Sequence, residues 1–312
     1  MKTTALYAGN PDHWTTYRQT LAASFARAGI AVNLVQKADD PADVDYIIYA
    51  PKADHDDFAP YTNLKAVLGL WAGVESFQNN ATLVAPLARM VDQGLSLGMA
   101  EWVLGHVMRH HLGMDSHIHG QDGIWRGGIA PPLAQQRRVG ILGLGELGQV
   151  AASYLNDAGF QVSGWSRRQK TIKGVACFSG QDGLIDILKN SEILVLLLPQ
   201  TSETENVLNA DTLALMPKGA FILNPGRGPL IDDDALLAAL DSGQIAHATL
   251  DVFHTEPLPK DHPYWAHEQV TVTPHIASET RAETASDAIA ENIRRGIAGE
   301  PFLHLVDRKQ GY

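Results

Sequence analysis

The sequence predicts an α/β protein built from two doubly wound parallel sheets. Short apolar or β-branched runs alternate with helix-length amphipathic segments along most of its 312 residues, the pattern of parallel strands covered by helices. A glycine pattern, GxGxxG, stands between one such run and the helical segment behind it, and the length allows about two domains.

Candidate strands of the first half are residues 4–8, 31–35, 46–50, 66–70 and 87–90, with a helix over 15–28 stopped by Gly29. The loop after the first strand reads AGNPDHW and has no phosphate-binding glycines, so this half is not expected to hold a dinucleotide. A long helix is expected over about 99–117. The Gly- and Pro-rich loop GGIAPPL, residues 127–133, then marks a boundary, with Trp125 beside it as an anchor. The second half offers strands at 138–142, 161–166, 193–198, 220–224, 247–252 and 270–273. Asp232 is placed to cap a helix that Gly243 ends, and a last helix runs over about 280–297. Cys177 stands alone between strands and reads as a packing residue.

Lys and Arg number 24 against 35 Asp and Glu, a formal charge of −11, which argues against nucleic acid or an anionic membrane as partner. Apolar runs such as residues 193–198 are far too short to span a bilayer, and the first residues do not read as a secretory signal. A single cysteine excludes an internal disulfide and a cysteine-based zinc knuckle. The expectation is a soluble cytoplasmic protein.

In GLGELG, Gly143 permits the tight turn, Gly145 the approach of a pyrophosphate and Gly148 close helix–strand packing, with Glu146 and Leu147 between them at the helix start. Cofactor choice is expected where the next strand ends. There Ser166 stands in place of a carboxylate, followed by Arg167 and Arg168. A carboxylate would repel a 2′-phosphate, whereas a hydroxyl and two guanidinium groups can bind it, so NADP(H) is expected over NAD(H). The plain alternative is two solvated loop arginines.

Three later segments set polar residues at strand ends, where open α/β sheets place their ligand crevice: Arg227 in NPGRGP, Glu256 in DVFHTEP and His275 in TPHIAS. Arg227 can grip a carboxylate with its planar fork. His275 can give a proton to a carbonyl oxygen as hydride reaches the carbon, and Glu256, bonded to the other ring nitrogen, would fix the tautomer and favour the protonated ring. Each alone reads equally well as a surface or structural ion pair.

Together these segments, in this order and spacing from residue 139 to 278, resemble the D-isomer-specific 2-hydroxyacid dehydrogenases. The run HPYW at 262–265 and the terminal VDRKQGY resemble the NADPH-preferring branch of that family. The resemblance implies a Rossmann cofactor domain, residues 99–277, inserted into a flavodoxin-like substrate domain made of residues 1–98 plus 278–312. It implies Arg227 as substrate anchor, Glu256 as partner of the histidine and His275 as proton donor. Further cofactor contacts would come from Leu198, Pro199, Thr204, Asn224, Pro225, Gly226, Asp251 and Ala277. Backbone amides of Gly73 and Val74 would take the substrate carboxylate. The stretch WAGVE, however, puts Trp71 where the family commonly has glycine, which leaves pocket size open. The expected reaction is reduction of a small 2-oxo acid, glyoxylate and hydroxypyruvate first, by a homodimer. A broader D-2-hydroxyacid dehydrogenase and an NADP(H)-sensing protein without turnover are the alternatives.

His106 and His110 share a helix face at a spacing that can bind zinc, but no HExxH pattern or nearby cysteine accompanies them, and no metal is expected. The stripe Trp102, Val103, Val107 and Met108 on the same segment reads as core.

Overall fold

A computed structural model describes residues 3–50, 55–77, 80–125, 127 and 130–308. The chain divides into two compact units, Met1–Leu95 with Thr280–Tyr312, and Ser96–Glu279. Among the described residues no helix is long and apolar enough to cross a membrane.

The first unit carries strands β1 (Thr3–Ala8), β2 (Val32–Val35), β3 (Tyr46–Tyr49), β4 (Ala66–Gly69) and β5 (Leu87–Ala88), all parallel and ordered β2-β1-β3-β4-β5. This is the flavodoxin-like order. Helix α1 (Trp14–Arg27) follows β1. The strands are short and almost wholly apolar because both faces are covered: Ile47, Val67 and Leu87 enter one core with Phe58 and Phe77.

Helix α2 (Gln93–His111) leads into the second unit and is followed by α3 (Met114–Ile118). The expected single helix over 99–117 is therefore two, because Gly113 takes a left-handed backbone, φ 62°, at the break. The seven parallel strands behind are β6 (Arg138–Leu142), β7 (Gln161–Trp165), β8 (Ala176–Phe178), β9 (Ile193–Leu196), β10 (Ala220–Asn224), β11 (Ile245–Leu250) and β12 (Val270–Val272). Their order is β12-β11-β10-β9-β6-β7-β8, so the winding reverses between β6 and β9. Helices α4 (Glu146–Asp157), α5 (Gly180–Asn190), α6 (Ala210–Leu215) and α7 (Asp233–Asp241) make the crossovers, and α8 (Ala282–Ala298) returns to the first unit. Asp232 caps α7 by accepting from the Ala235 amide.

One face of the larger sheet is covered by α2 and α4: Val103 and Val107 are fully buried with Ala151, Leu155, Ile141 and Val195, while Trp102 and Met108 pack at the edge of that core. Each of the fully buried valines, leucines and isoleucines there contributes roughly 1.5–3 kcal/mol relative to exposure. Three features differ from the sequence expectation. Cys177 lies within β8, not between strands, because the expectation placed no strand there. Trp125, 98% exposed, is not packed as an anchor among the described residues. The loop 127–133 falls inside the second unit, which begins at Ser96; of this region, residues 126, 128 and 129 lie outside the described residues.

Candidate active site

The winding reversal puts the loop after β6 beside the loop after β9. A Cβ at Gly143 would sit 2.3 Å from the Leu197 carbonyl oxygen, and one at Gly148 only 1.8 Å from the carbonyl oxygen of Gly143. Neighbouring backbone explains both glycines. Gly145 is different: a Cβ there would meet nothing within 4 Å among the described residues. Open space at the N-terminus of α4 is what a pyrophosphate approaching bare amides needs. Glu146 and Leu147 occupy the first turn of that helix.

At the end of β7 the Ser166 amide donates to the Phe178 carbonyl at 3.1 Å, and its hydroxyl to the Arg168 carbonyl at 2.7 Å. Ser166 thereby shapes the loop that presents the exposed Arg167 and Arg168. Behind β9, Leu198 is buried. The Thr204 hydroxyl donates to the Pro199 carbonyl at 2.7 Å and accepts from the Thr201 amide at 2.9 Å, closing that loop on itself.

Asn224, Pro225 and Gly226 carry the chain from β10 to Arg227. The buried Asn224 amide side chain spans the turn, accepting from the Gly226 amide at 3.1 Å and donating to the Arg227 carbonyl at 2.9 Å. Gly228 lies so close to the loop after β11 that a Cβ would stand 2.0 Å from the Phe253 carbonyl carbon. This contact holds the Arg227 turn against the segment bearing Glu256.

His275 has a left-handed backbone, φ 56°, an unfavourable state for a residue with a side chain. Asp251, fully buried at the end of β11, holds it there. Its carbonyl accepts from the His275 amide at 2.8 Å. Its carboxylate accepts from the Thr273 hydroxyl at 2.6 Å and from the amides of Ile276 and Ala277 at 2.9 Å each. With the turn so fixed, His275 Nδ1 lies 2.7 Å from Glu256 Oε2, and Glu256 Oε1 accepts from the Phe253 amide at 3.0 Å. Burial alone would raise the Glu256 carboxyl, but the bonds from His275 and Phe253, with a smaller field from Arg227, outweigh it and hold the group below the usual carboxylate range. A carboxylate facing Nδ1 makes that nitrogen a donor and leaves Nε2 as the ring atom for exchange with a ligand.

Arg227, Glu256 and His275, the three residues expected to do chemistry, thus come from three strand ends to one locality. Trp71, Gly73 and Val74 belong to the first unit, on the loop behind β4; Trp71 is 43% exposed and Val74 buried. The role of Asp251 in the histidine turn, and the need for glycine at position 228, were not anticipated. An aspartate directly behind an apolar strand was the one available signal. Among the described residues no group of three or more His, Cys, Asp or Glu side chains is arranged to hold a metal. His110 donates to or accepts from the Thr249 hydroxyl at 2.9 Å, and the His106 ring packs 4.3 Å from Trp102.

Comparison with known proteins gives the family. Residues 102–277 match the model of the D-isomer specific 2-hydroxyacid dehydrogenase NAD binding domain. A glyoxylate/hydroxypyruvate reductase A of Yersinia enterocolitica is 40% identical over 262 residues, 81% of this chain and 83% of that one. That of Serratia proteamaculans is 41% identical over 286 residues, 89% and 90% of the two chains. Among solved structures, a D-isomer specific 2-hydroxyacid dehydrogenase of Xanthobacter autotrophicus Py2, in complex with NADPH and MES, superposes over the whole of both chains with TM-score 0.92 and 42% identity. The NADPH-dependent glyoxylate/hydroxypyruvate reductase of Sinorhizobium meliloti, with NADP and sulfate, does so with TM-score 0.86 and 31% identity. The chain belongs to the D-isomer specific 2-hydroxyacid dehydrogenase family.

Proposed function

We propose that this enzyme reduces short 2-oxo acids, glyoxylate to glycolate and hydroxypyruvate to D-glycerate, with His275 as the proton donor. The chain is an NADP-dependent dehydrogenase of its family, and its cofactor is NADP(H). The observation that carries the reading is the 2.7 Å pair of His275 and Glu256, set at strand ends beside the Arg227 turn.

Arg227 holds the substrate carboxylate and the edge of its carbonyl through its guanidinium. NADPH, when bound, supplies the hydride that reaches C2. The carbonyl oxygen then takes a proton from His275 Nε2, while Glu256 keeps the Nδ1 proton in place and stabilises the charged ring that precedes transfer. Gly143, Gly145 and Gly148, with Glu146 and Leu147, would hold the pyrophosphate, and Ser166, Arg167 and Arg168 the 2′-phosphate. Leu198, Pro199, Thr204, Asn224 to Gly226, Asp251 and Ala277 would line the remainder. The amides of Gly73 and Val74 are assigned to the substrate carboxylate and Trp71 to the size limit of the site. Residues 99–277 are the cofactor domain in this reading, and 1–98 with 278–312 the substrate domain. Exposed Leu112, Met114, Ile118 and Ile124 support a homodimer, and a lone cysteine suits the cytoplasm.

The test is NADPH oxidation by the purified protein with a panel of 2-oxo acids. Higher kcat/KM for glyoxylate and hydroxypyruvate than for branched or aromatic 2-oxo acids is expected. The reverse order would favour the broader D-2-hydroxyacid dehydrogenase, and no turnover would favour a binding protein.

A further inference from the structure

The terminal motif VDRKQGY plays no part in the chemistry above, yet its arginine is built into the first unit. Residues 304–306 run back along edge strand β5: the Arg89 amide donates to the His304 carbonyl at 3.1 Å, Ala88 pairs with Leu305 in an antiparallel bridge, and the Val306 amide donates to the Leu87 carbonyl at 2.9 Å. This course brings the Arg308 guanidinium to three backbone carbonyls. Nη1 donates to Leu83 at 2.5 Å, and Nη2 to Phe77 at 3.1 Å and Asn80 at 2.5 Å.

Of those carbonyls, that of Phe77 closes the loop that holds Trp71, Gly73 and Val74, and those of Asn80 and Leu83 follow it in the chain. The loop starts from fixed points, since the Met90 amide donates to the Trp71 carbonyl at 3.0 Å and the Thr280 hydroxyl to the Leu70 carbonyl at 2.8 Å. It ends in a single 3₁₀ turn, Glu75–Phe77, where the Phe77 amide donates to the Val74 carbonyl at 3.0 Å and the Phe77 ring packs 4.6 Å from Tyr49. The Phe77 carbonyl accepts from the Asn80 amide at 3.2 Å as well as from Arg308, and Asn80 and Leu83 follow the turn, so the guanidinium ties the end of the turn to the next stretch of chain. A guanidinium suits the task because its planar fork reaches several acceptors at once.

We infer that Arg308 is a positioning residue for substrate binding, fixing the far end of the loop 71–77 so that the Gly73 and Val74 amides stand preorganised for a carboxylate. The inference rests on the proposed assignment of those amides to the substrate carboxylate.

The experiment compares the wild type with Arg308→Met and Arg308→Lys in steady-state kinetics on glyoxylate and NADPH, with a thermal midpoint for each protein. Arg308→Met should raise KM for glyoxylate about tenfold, with KM for NADPH and kcat each within about twofold. Arg308→Lys, which keeps the charge but reaches fewer carbonyls, should fall between. If Arg308→Met does not fold, a selective rise in glyoxylate KM in Arg308→Lys carries the same meaning. An unchanged glyoxylate KM in a folded variant, or an equal rise in both KM values, overturns the inference and leaves the proposed function intact. A wild type that turns over no 2-oxo acid overturns both.

Discussion

Replacing Glu256 by Gln tests the heart of the site with little change of shape. Glu256 Oε2 faces His275 Nδ1 at 2.7 Å while Oε1 accepts from the Phe253 amide at 3.0 Å. A glutamine must keep its oxygen toward the Phe253 N–H, which turns its NH₂ group to Nδ1. That nitrogen then becomes an acceptor, which only the neutral ring can supply. The variant thus loses an anion that favours the charged ring and gains a donor that opposes it. A hydrogen bond to a charged group contributes about 1.5–3 kcal/mol. Here the side chains are 51% and 36% exposed, which brings the value nearer to about 1 kcal/mol. At about 1.4 kcal/mol per factor of ten, kcat/KM for reduction should fall about three- to tenfold. The sign follows from the reaction, since the proton donor is the charged ring and the variant removes the anion that stabilises it. The assay is kcat/KM for NADPH-driven reduction of glyoxylate by both proteins at one pH. An unchanged or higher kcat/KM refutes the pairing as a functional one.

Arg167→Ala with Arg168→Ala should reduce the NADPH over NADH preference by at least about tenfold in kcat/KM, as expected for loss of charge-assisted bonds to a phosphate; an unchanged ratio makes the arginines plain surface charge. Gly148→Ala must move the Gly143 carbonyl from 1.8 Å to beyond 3.0 Å of the new Cβ, so NADPH titrated by fluorescence should bind at least about tenfold more weakly. Native-like affinity would contradict the assigned loop. Burial, with His247 and Arg109 nearby, pushes His110 down to about 3, and burial pushes His247 down to about 4. Both rings stay neutral in the fold while the unfolded chain takes up protons below about pH 6.5. Stability is therefore complete above that pH and lost as pH falls toward the folded values, by about 1.4 kcal/mol per unit for His110 and less for the more exposed His247. Urea midpoints from pH 7 to 5 should fall less steeply in His110→Gln than in the wild type, and equal slopes would contradict the assignment.

Much of the second unit was legible in the sequence because its punctuation is local. Strands at 138–142 and 220–224 agree in both bounds with β6 and β10, since a glycine turn ends the first and Asn-Pro-Gly the second. The cap at Asp232 was legible for the same reason. The helix break at Gly113 was not, because apolar side chains continue through Met114 and Ile118 and mask one left-handed residue. Also hidden was the ring of bonds from Thr273, Ile276 and Ala277 to Asp251. Its partners lie 22 to 26 residues apart, and no spacing rule connects them before the sheet brings two strand ends together. Gly228 is glycine because Phe253 comes against it, a contact between chain segments that no window of sequence contains. Arg308 reads in the sequence as a charge near a terminus, and only the path of the chain along β5 turns it into a clamp.

The proposed chemistry depends most directly on His275 as the proton donor. Single-turnover reduction of glyoxylate by NADPH should therefore be compared in the wild type and His275→Asn, with NADPH affinity measured on both. A fall of about 10²- to 10⁴-fold in the rate with cofactor affinity retained is the predicted result. A rate within a few-fold of the wild type would contradict it.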